Sequence, residues 1–350
     1  RIPTAGKHDM WHNEAPGLDL VPQIYYSTNF YSGYAVDRIM QRNRSRPFWL
    51  HVAYQAVHSG EFREDTPPQD NIPFGTGFRN QGYGNALVSL DHGIQNITQA
   101  LRSSGMWDET LLLVMSDNGG DDPPTGGRGN AMASNYPLLG RKCLSYEGGT
   151  RVFAFLNGGL LPARLRGTTN TQLMHIADWY PTLCELAGVD ASDNWEDPAT
   201  KVVHPIDGES LWATLLSGGK TPLKREWVPT TKTSILHDTR ARGGSTIWKL
   251  ITNETRGWRF HPNGTEYVDP HNTCLGPELA FDCVDAYGSF GRHSCYACSP
   301  EQPCLYDVLR DPEETSNLAA ANPAVVAQMR EKLESFAEPY VPALSTAELA

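Results

Sequence analysis

The chain has 350 residues, 39% hydrophobic and 20% charged, a balance that suits a globular protein with one large domain and a smaller appended unit. Twenty-nine Lys and Arg against 40 Asp and Glu leave a net charge of −11 with no long basic run, which argues against nucleic acid as a partner. No stretch approaches the roughly 18 consecutive apolar residues of a membrane span.

The first strong signal along the chain is PFWLHVAY, residues 47–54, whose aromatic and branched residues predict a short buried strand. His58, in the QAVHSG that follows, then stands just beyond the strand's end. Leu87, Leu90, Ile94, Ile97 and Leu101 recur three and four residues apart and predict an amphipathic helix. TLLLVMSDNGG, residues 110–120, predicts a second short strand buried on both faces, with Asp117 and Asn118 at its carboxyl end. Strand, helix, strand in this order is the pattern of a parallel α/β sheet, where ligands bind outside the carboxyl ends of the strands. His58 and Asp117 are therefore expected on one edge.

Asp117 and Asn118 offer two adjacent hard oxygen ligands, one charged and one neutral, and the glycines after them let the backbone turn away. Calcium or magnesium is the guest such a pair suits. Taken alone, however, the stretch reads as an ordinary turn signal. PLLGRKCLSYEGGTRV, residues 137–152, predicts another connection that places Lys142 and Arg151 near the same rim.

SGGKTPLKREW, residues 217–227, has the Gly, Pro and charge of a linker and divides the chain into 1–225 and 226–350. The second part is expected to be α+β, with strands in STIWKLIT and CLYDVL. Its closing helix is signalled by Asn322 as N-cap, Pro323 at the first helical position, and Val326, Met329, Leu333 and Phe336 on one face. Five of the seven cysteines (Cys274, Cys283, Cys295, Cys298, Cys304) crowd into one Gly- and Pro-containing stretch, which reads as a disulfide-stapled loop. Cys295 and Cys298 with His271 and His293 offer a competing zinc reading, weakened by the lack of a second close cysteine pair. Seven is odd, so one thiol is free, pairs with another chain, or has a partner outside this sequence. Asn-x-Ser/Thr triplets at Asn43, Asn96, Asn253 and Asn263 are candidate glycosylation sites, and Asn96 falls off the apolar stripe of its helix. Together with the cysteines they favour the secretory route, to the lysosome or outside the cell.

The segments YYSTNFYSGYAVDRI, PFWLHVAYQAVHS, ALVSLDHGIQNITQALRSSGMWDETLLLVMSDNGG, PLLGRKCLSYEGGTRV, LMHIADWYPTLCELAG, IDGESLW and CLYDVLRDPEETSNLA run in order across nearly the whole chain. In them the sequence resembles the sulfatase family, specifically the animal arylsulfatases of the B-like group. The resemblance implies an alkaline-phosphatase-like α/β fold, a large and mostly parallel mixed sheet flanked by helices, here incomplete, with a smaller C-terminal α+β subdomain. It implies that Asp117 and Asn118 ligate calcium and that His58 and Lys142 are catalytic residues contacting the sulfate group. It also implies hydrolysis of sulfate esters, of sulfated sugars in particular, through a formylglycine made from a Cys in C-x-P-S-R by the formylglycine-generating enzyme.

The departures are as specific. No C-x-P-S-R occurs, and Cys298-Ser-Pro-Glu-Gln begins like it but lacks the Ser and Arg and lies far too late. The early Asp pair that completes the family's calcium shell and the G-K-x-H stretch are absent, Gly6-Lys7-His8 being too close to YYSTNF to serve. Leu139 stands where relatives usually carry Arg, and Gly60 where Pro is common. The expectation is therefore the C-terminal portion of a sulfatase, inactive alone. The alternative is a non-catalytic secreted protein that keeps the fold to bind sulfated glycans or a protein partner.

Overall fold

A computed structural model of the chain describes residues 11–17, 26–58, 81–120, 133–192, 205–221, 223–255, 259–260, 266–267 and 296–336, and residues 196, 201 and 203 besides. The chain groups into two units. One comprises Arg1–Met115, Asp121–Ser134 and Ala154–Ala163; the other comprises Ser116–Gly120, Asn135–Phe153 and Arg164–Ala350. This interleaved grouping follows a different division from the 1–225 and 226–350 domains suggested by linker composition.

In the first unit a short hairpin of β1 (Trp11–His12) and β2 (Ala15–Pro16) precedes α1 (Ser27–Gln41), which packs along α2 (Gln81–Ser103). The predicted helix is present as α2, but its most buried line runs through smaller residues than the leucine stripe. Ala86, Ser89, Gly93, Ile97 and Ala100 are buried, whereas Leu87, Leu90 and Ile94 are half-buried. Small side chains let α1 approach closely, and Ala35, Ile39, Ile97, Leu101 and Met106 fill the seam. The strand β3 (Leu112–Met115) pairs antiparallel with β4 (Ala154–Asn157), Leu112 opposite Asn157 and Met115 opposite Ala154.

Two local expectations are corrected here. Residues 47–54 form no strand: Trp49 is 72% exposed, and only Val52 and Tyr54 pack on the helix pair. Apolar composition favours an extended chain, but a strand also needs a hydrogen-bonded neighbour, and this segment has none among the described residues. β3 is half-buried along its length rather than buried on both faces.

The second unit contains α3 (Glu147–Thr150), α4 (Trp179–Ala187), α5 (Trp212–Leu216), β5 (Trp227–Thr231), β6 (Ser234–Asp238) and β7 (Ile247–Ile251). The short pairs β8 (Glu254–Thr255) with β11 (Tyr296–Cys298) and β9 (Arg259–Phe260) with β10 (Glu266–Tyr267) follow, then β12 (Cys304–Asp307) and α6 (Pro323–Ser335). Its main sheet is antiparallel, in the order β12-β7-β6-β5.

The two-residue period of the strands decides which side chain goes where. Ile235, Leu250 and Leu305 lie on one face and pack under Met329 and Leu333 of α6. Leu236, Ile247, Ile251, Cys304 and Tyr306 lie on the other, with Leu139, Leu144 and Tyr146. Lys249 stands in the register of this second face, paired with Leu236 and Tyr306, and has no exposed surface.

The closing helix begins and buries as its sequence predicts, with Met329 and Leu333 inward and Pro323 in the first turn. Asn322 occupies the N-cap position without capping; its Nδ2 instead donates to Leu318 O at 2.9 Å. Phe336, expected on the same apolar face, instead follows the helix as its C-cap and is exposed, beneath the Lys332 ammonium. Cys298 and Cys304 form a disulfide with a Cα separation of 5.4 Å, tying the end of β11 to the start of β12. This removes Cys298 from any zinc site, because a disulfide sulfur is no thiolate ligand. Cys143 is also disulfide-bonded. Cys274, Cys283, Cys295, His271 and His293 lie outside the described residues, as does Asn263, while Asn43, Asn96 and Asn253 are exposed.

Among the described cysteines Cys184 alone is a free thiol. Alkylation of the denatured, unreduced protein followed by peptide mass spectrometry is therefore expected to label Cys184 and to leave Cys143, Cys298 and Cys304 unlabelled. Stoichiometric zinc with a labelled Cys298 would reverse the assignment.

Candidate functional site

Three stretches of backbone meet where the sequence places Asp117, Asn118 and Lys142. The Ser116 N–H donates to Phe153 O at 3.2 Å, and Ser116 Oγ donates to Asn118 O at 2.8 Å, closing a tight turn around Asp117. The Gly119 N–H donates to Gly149 O at 3.0 Å, the Lys142 N–H to Gly120 O at 3.0 Å, and the Gly148 N–H to Leu139 O at 2.7 Å. No side chain fits between these stretches. A Cβ on Gly119 would lie 1.8 Å from Gly148 O, and one on Gly148 would lie 2.4 Å from Gly140 O. The glycines are therefore required for backbone-to-backbone approach as well as for turning.

Asn135 fastens the same point from the side. Its Oδ1 accepts from the Gly120 N–H at 2.8 Å, and its Nδ2 donates to Gly120 O at 2.9 Å and Gly140 O at 3.2 Å. Within this frame the Asp117 carboxylate is exposed and makes no hydrogen bond or ion pair among the described residues. Asn118 is half-buried and donates Nδ2 to Gly119 O at 2.8 Å, which engages its nitrogen and leaves Oδ1 as its acceptor. One carboxylate and one amide oxygen on a pinned turn fit a hard divalent cation. They are only part of its shell, since calcium takes about six to eight oxygens, and the described residues hold no group of three or more His, Cys, Asp or Glu suited to a metal.

Beneath the turn lies a buried ionic cluster. Lys249 Nζ donates to Glu147 Oε1 at 2.8 Å and Thr150 Oγ1 at 3.2 Å, and pairs with Glu314 Oε1 at 3.3 Å. The Glu147 N–H donates to Glu314 Oε2 at 2.7 Å, and Arg151 Nε donates to Glu147 Oε2 at 2.5 Å. Asp311 shapes the turn that delivers Glu314, accepting from the Thr315 and Ser316 N–H groups at 2.9 Å each. Glu314 itself sits at φ 56°, a left-handed conformation costing a residue with a Cβ about 1–2 kcal/mol.

The two carboxylates differ in their charge balance. Burial works to raise the pKa of Glu147, but Lys249 and Arg151 outweigh it and hold the group below its ordinary range. Glu314 is pushed up to about 7 by burial, with Lys249 opposing and the Glu147 charge adding to the rise. Around one buried ammonium, Glu147 is the more acidic of the two carboxyl groups and Glu314 the more readily protonated.

The structure thus brings Asp117, Asn118 and Lys142 into one hydrogen-bonded cluster of loops. His58 belongs to the other unit, exposed, with its N–H donating to Gln55 O at 2.8 Å. Arg151, expected on the rim beside Lys142, is instead engaged by Glu147 and the Val308 carbonyl, because a buried carboxylate attracts it more strongly than open solvent does. Asn135, Glu147, Lys249 and Glu314 were not among the sequence-predicted site residues. For Lys249 a signal exists: it occupies an apolar register position of IWKLI, and a lysine there requires a buried carboxylate.

A family model for Sulfatase matches residues 5–189. Arylsulfatase J of Mus musculus is 28% identical over 96% of the chain and 52% of its own length, and Arylsulfatase A of Homo sapiens is 27% identical over 86% and 51%. N-acetylgalactosamine-6-sulfatase of Homo sapiens is 32% identical over 55% of the chain and 33% of its length. The chain spans about half the length of the curated relatives it matches over most of its own. Among solved structures, Ps i-CgsB aligns with a TM-score of 0.57 at 20% identity, covering 89% of the chain and 55% of that one. A protein described in connection with metabolism of multiple glycosaminoglycans by Bacteroides thetaiotaomicron aligns with a TM-score of 0.53 at 23% identity, covering 95% and 56%. These likenesses establish the fold as that of the sulfatases.

Glu314 gives a pH dependence whose sign is fixed. Its folded pKa of about 7 exceeds the ordinary 4.5, so the stability it contributes is fully present below about 4.5 and is lost as pH rises through about 7. His175 and His237, both with lowered pKa, act in the opposite sense. The comparison is therefore between wild type and Glu314→Gln. In urea titrations from pH 4.5 to 8 the wild-type unfolding free energy should fall relative to the variant's, and parallel curves would refute the assignment.

Proposed function

Because the chain belongs to the sulfatase family, we propose that it forms the cation- and sulfate-holding portion of an arylsulfatase-type sulfuric ester hydrolase acting on sulfate esters of sugars. The observation that carries this reading is the pinned Asp117–Asn118 turn, with an exposed carboxylate and an amide side by side and the Lys142 backbone hydrogen-bonded to Gly120 of the same turn. One relative named N-acetylgalactosamine-6-sulfatase and a structural neighbour tied to glycosaminoglycans support sugar sulfates as the substrate class.

Asp117 and Asn118 would hold one calcium ion, whose charge offsets the negative charge that grows on sulfate oxygens during S–O cleavage. The residues of this chain divide the remaining work. Asp117 supplies the charged oxygen that gives the cation its affinity, and Asn118 fixes its direction with a neutral one. Lys142 bears on a sulfate oxygen, where a preorganised positive charge favours the transition state more than the ground state. His58 protonates the leaving alcohol oxygen, so that the sugar departs as a neutral hydroxyl. The nucleophile would be the hydrate of a formylglycine, produced from a C-x-P-S-R cysteine by a formylglycine-generating enzyme, and would supply the oxygen that bonds to sulfur as the ester S–O bond breaks. This sequence has no such motif, and Cys298, the nearest imitation, is committed to a disulfide. The 350-residue chain by itself should consequently leave an aryl sulfate unhydrolysed. Disulfides and exposed Asn43, Asn96 and Asn253 support passage through the secretory pathway to a lysosomal or extracellular destination.

The test uses a sulfatase that joins this chain to a C-x-P-S-R segment. Asp117→Ala should abolish turnover and calcium binding, whereas Asn118→Ala should weaken calcium binding on the order of tenfold, a neutral ligand contributing less to a hard cation. Calcium titration by calorimetry separates the two, and wild-type affinity in Asp117→Ala would reduce the turn to a structural element. His58→Ala should bind calcium normally and lose on the order of a hundredfold or more in rate with alkyl sulfates, but less with acidic phenol leaving groups. An equal loss across leaving groups would contradict the general-acid role.

A further inference from the structure

We propose that Lys249, Glu147 and Glu314 are positioning residues for the Asp117–Asn118 turn: an ammonium on the inner face of the C-terminal sheet clamps α3, and α3 holds the turn through direct backbone contact. The proposal rests on the preceding reading only for what the turn binds.

α3 is four residues long, far too short to hold its own shape. Its position comes from Glu147, whose carboxylate engages Lys249 and Arg151 and whose N–H is taken by Glu314. Lys249 also reaches Thr150 Oγ1 and so grips both ends of the turn of helix. Arg151 is about half exposed and cannot substitute, whereas the side chains of Lys249 and Glu314 have no exposed surface at all.

From α3 the constraint passes without an intervening side chain. The Gly149 carbonyl accepts from the Gly119 N–H, and the Gly148 carbonyl lies where a Cβ of Gly119 would be. The Gly148 N–H meanwhile ties α3 to Leu139, three residues before Lys142. A displacement of α3 thus bears directly on the stretches carrying Asp117, Asn118 and Lys142. An apolar residue at position 249 would satisfy the sheet's inner face, but it would not fix the direction of the Glu147 carboxylate.

Hydrogen exchange on the 350-residue chain tests this. In Lys249→Met and in Glu314→Ala, the Gly119, Lys142 and Gly148 amides should exchange at least tenfold faster while amides of α4, in the same unit, keep their wild-type rates. Glu314→Gln, which retains an acceptor for the Glu147 N–H, should restore loop protection to within about twofold of wild type. A merely structural role predicts that α4 and loop amides accelerate together, and that outcome, or unchanged loop amides, overturns the proposal. If Lys249→Met does not fold, the Glu314→Ala and Glu314→Gln pair decides by the same criterion. Calcium titration of the sulfatase joined to its nucleophile segment keeps the two readings apart. Absent calcium binding with the expected exchange pattern sinks the metal reading and leaves the positioning role standing; normal binding with unchanged loop amides does the reverse.

Discussion

A lysine with no exposed surface, on the apolar face of a four-stranded sheet, constrains everything packed against that face. Lys249 can stay charged there only if carboxylates come to it, and burying an unpaired ammonium costs several kcal/mol. Two carboxylates come, from α3 and from the turn after β12, and each brings its own segment into a fixed place. The sheet, the α3 turn and the Asp311–Ser316 turn are in this sense one ionic assembly. The Asp117 turn is built on top of it.

Such an assembly is not the cheapest way to fill a core. Well-packed apolar side chains of the same volume are often equally or more stable than a buried ion pair. What charge adds is direction: an ammonium with three donors and two carboxylates of unequal pKa admits few arrangements, whereas methyl groups admit many. Burial raises Glu314 most, and Arg151 adds to the inequality by giving Glu147 a second cation that Glu314 lacks.

Periodicity made much of the fold legible. α2 and α6 announce themselves by three- and four-residue spacing, and β7 and β12 by short branched and aromatic runs, because helix and strand periods are local properties of the chain. Residues 47–54 misled for the complementary reason: strand formation depends on a partner that the segment does not encode. The candidate site was legible in a different way. Asp117, Asn118 and Lys142 stand out only through the resemblance to a family, since Asp-Asn-Gly-Gly is otherwise a turn. Asn135 was invisible because its value lies in three polar groups of Gly120 and Gly140 that come within reach only after folding. Lys249 was half visible, its register showing that it must be buried while saying nothing of which carboxylates would meet it.

The contact between Gly119 and Gly148 involves main-chain atoms alone, and this limits how the molecule can diversify. Side-chain contacts can be retuned by a methyl at a time, with neighbours adjusting in compensation. A seam between two glycines has no such intermediate settings, because any added carbon pushes the stretches apart at once. Sequence change would therefore reach this turn only through the residues around it, while the spacing of the two backbone stretches stays fixed by the glycines themselves.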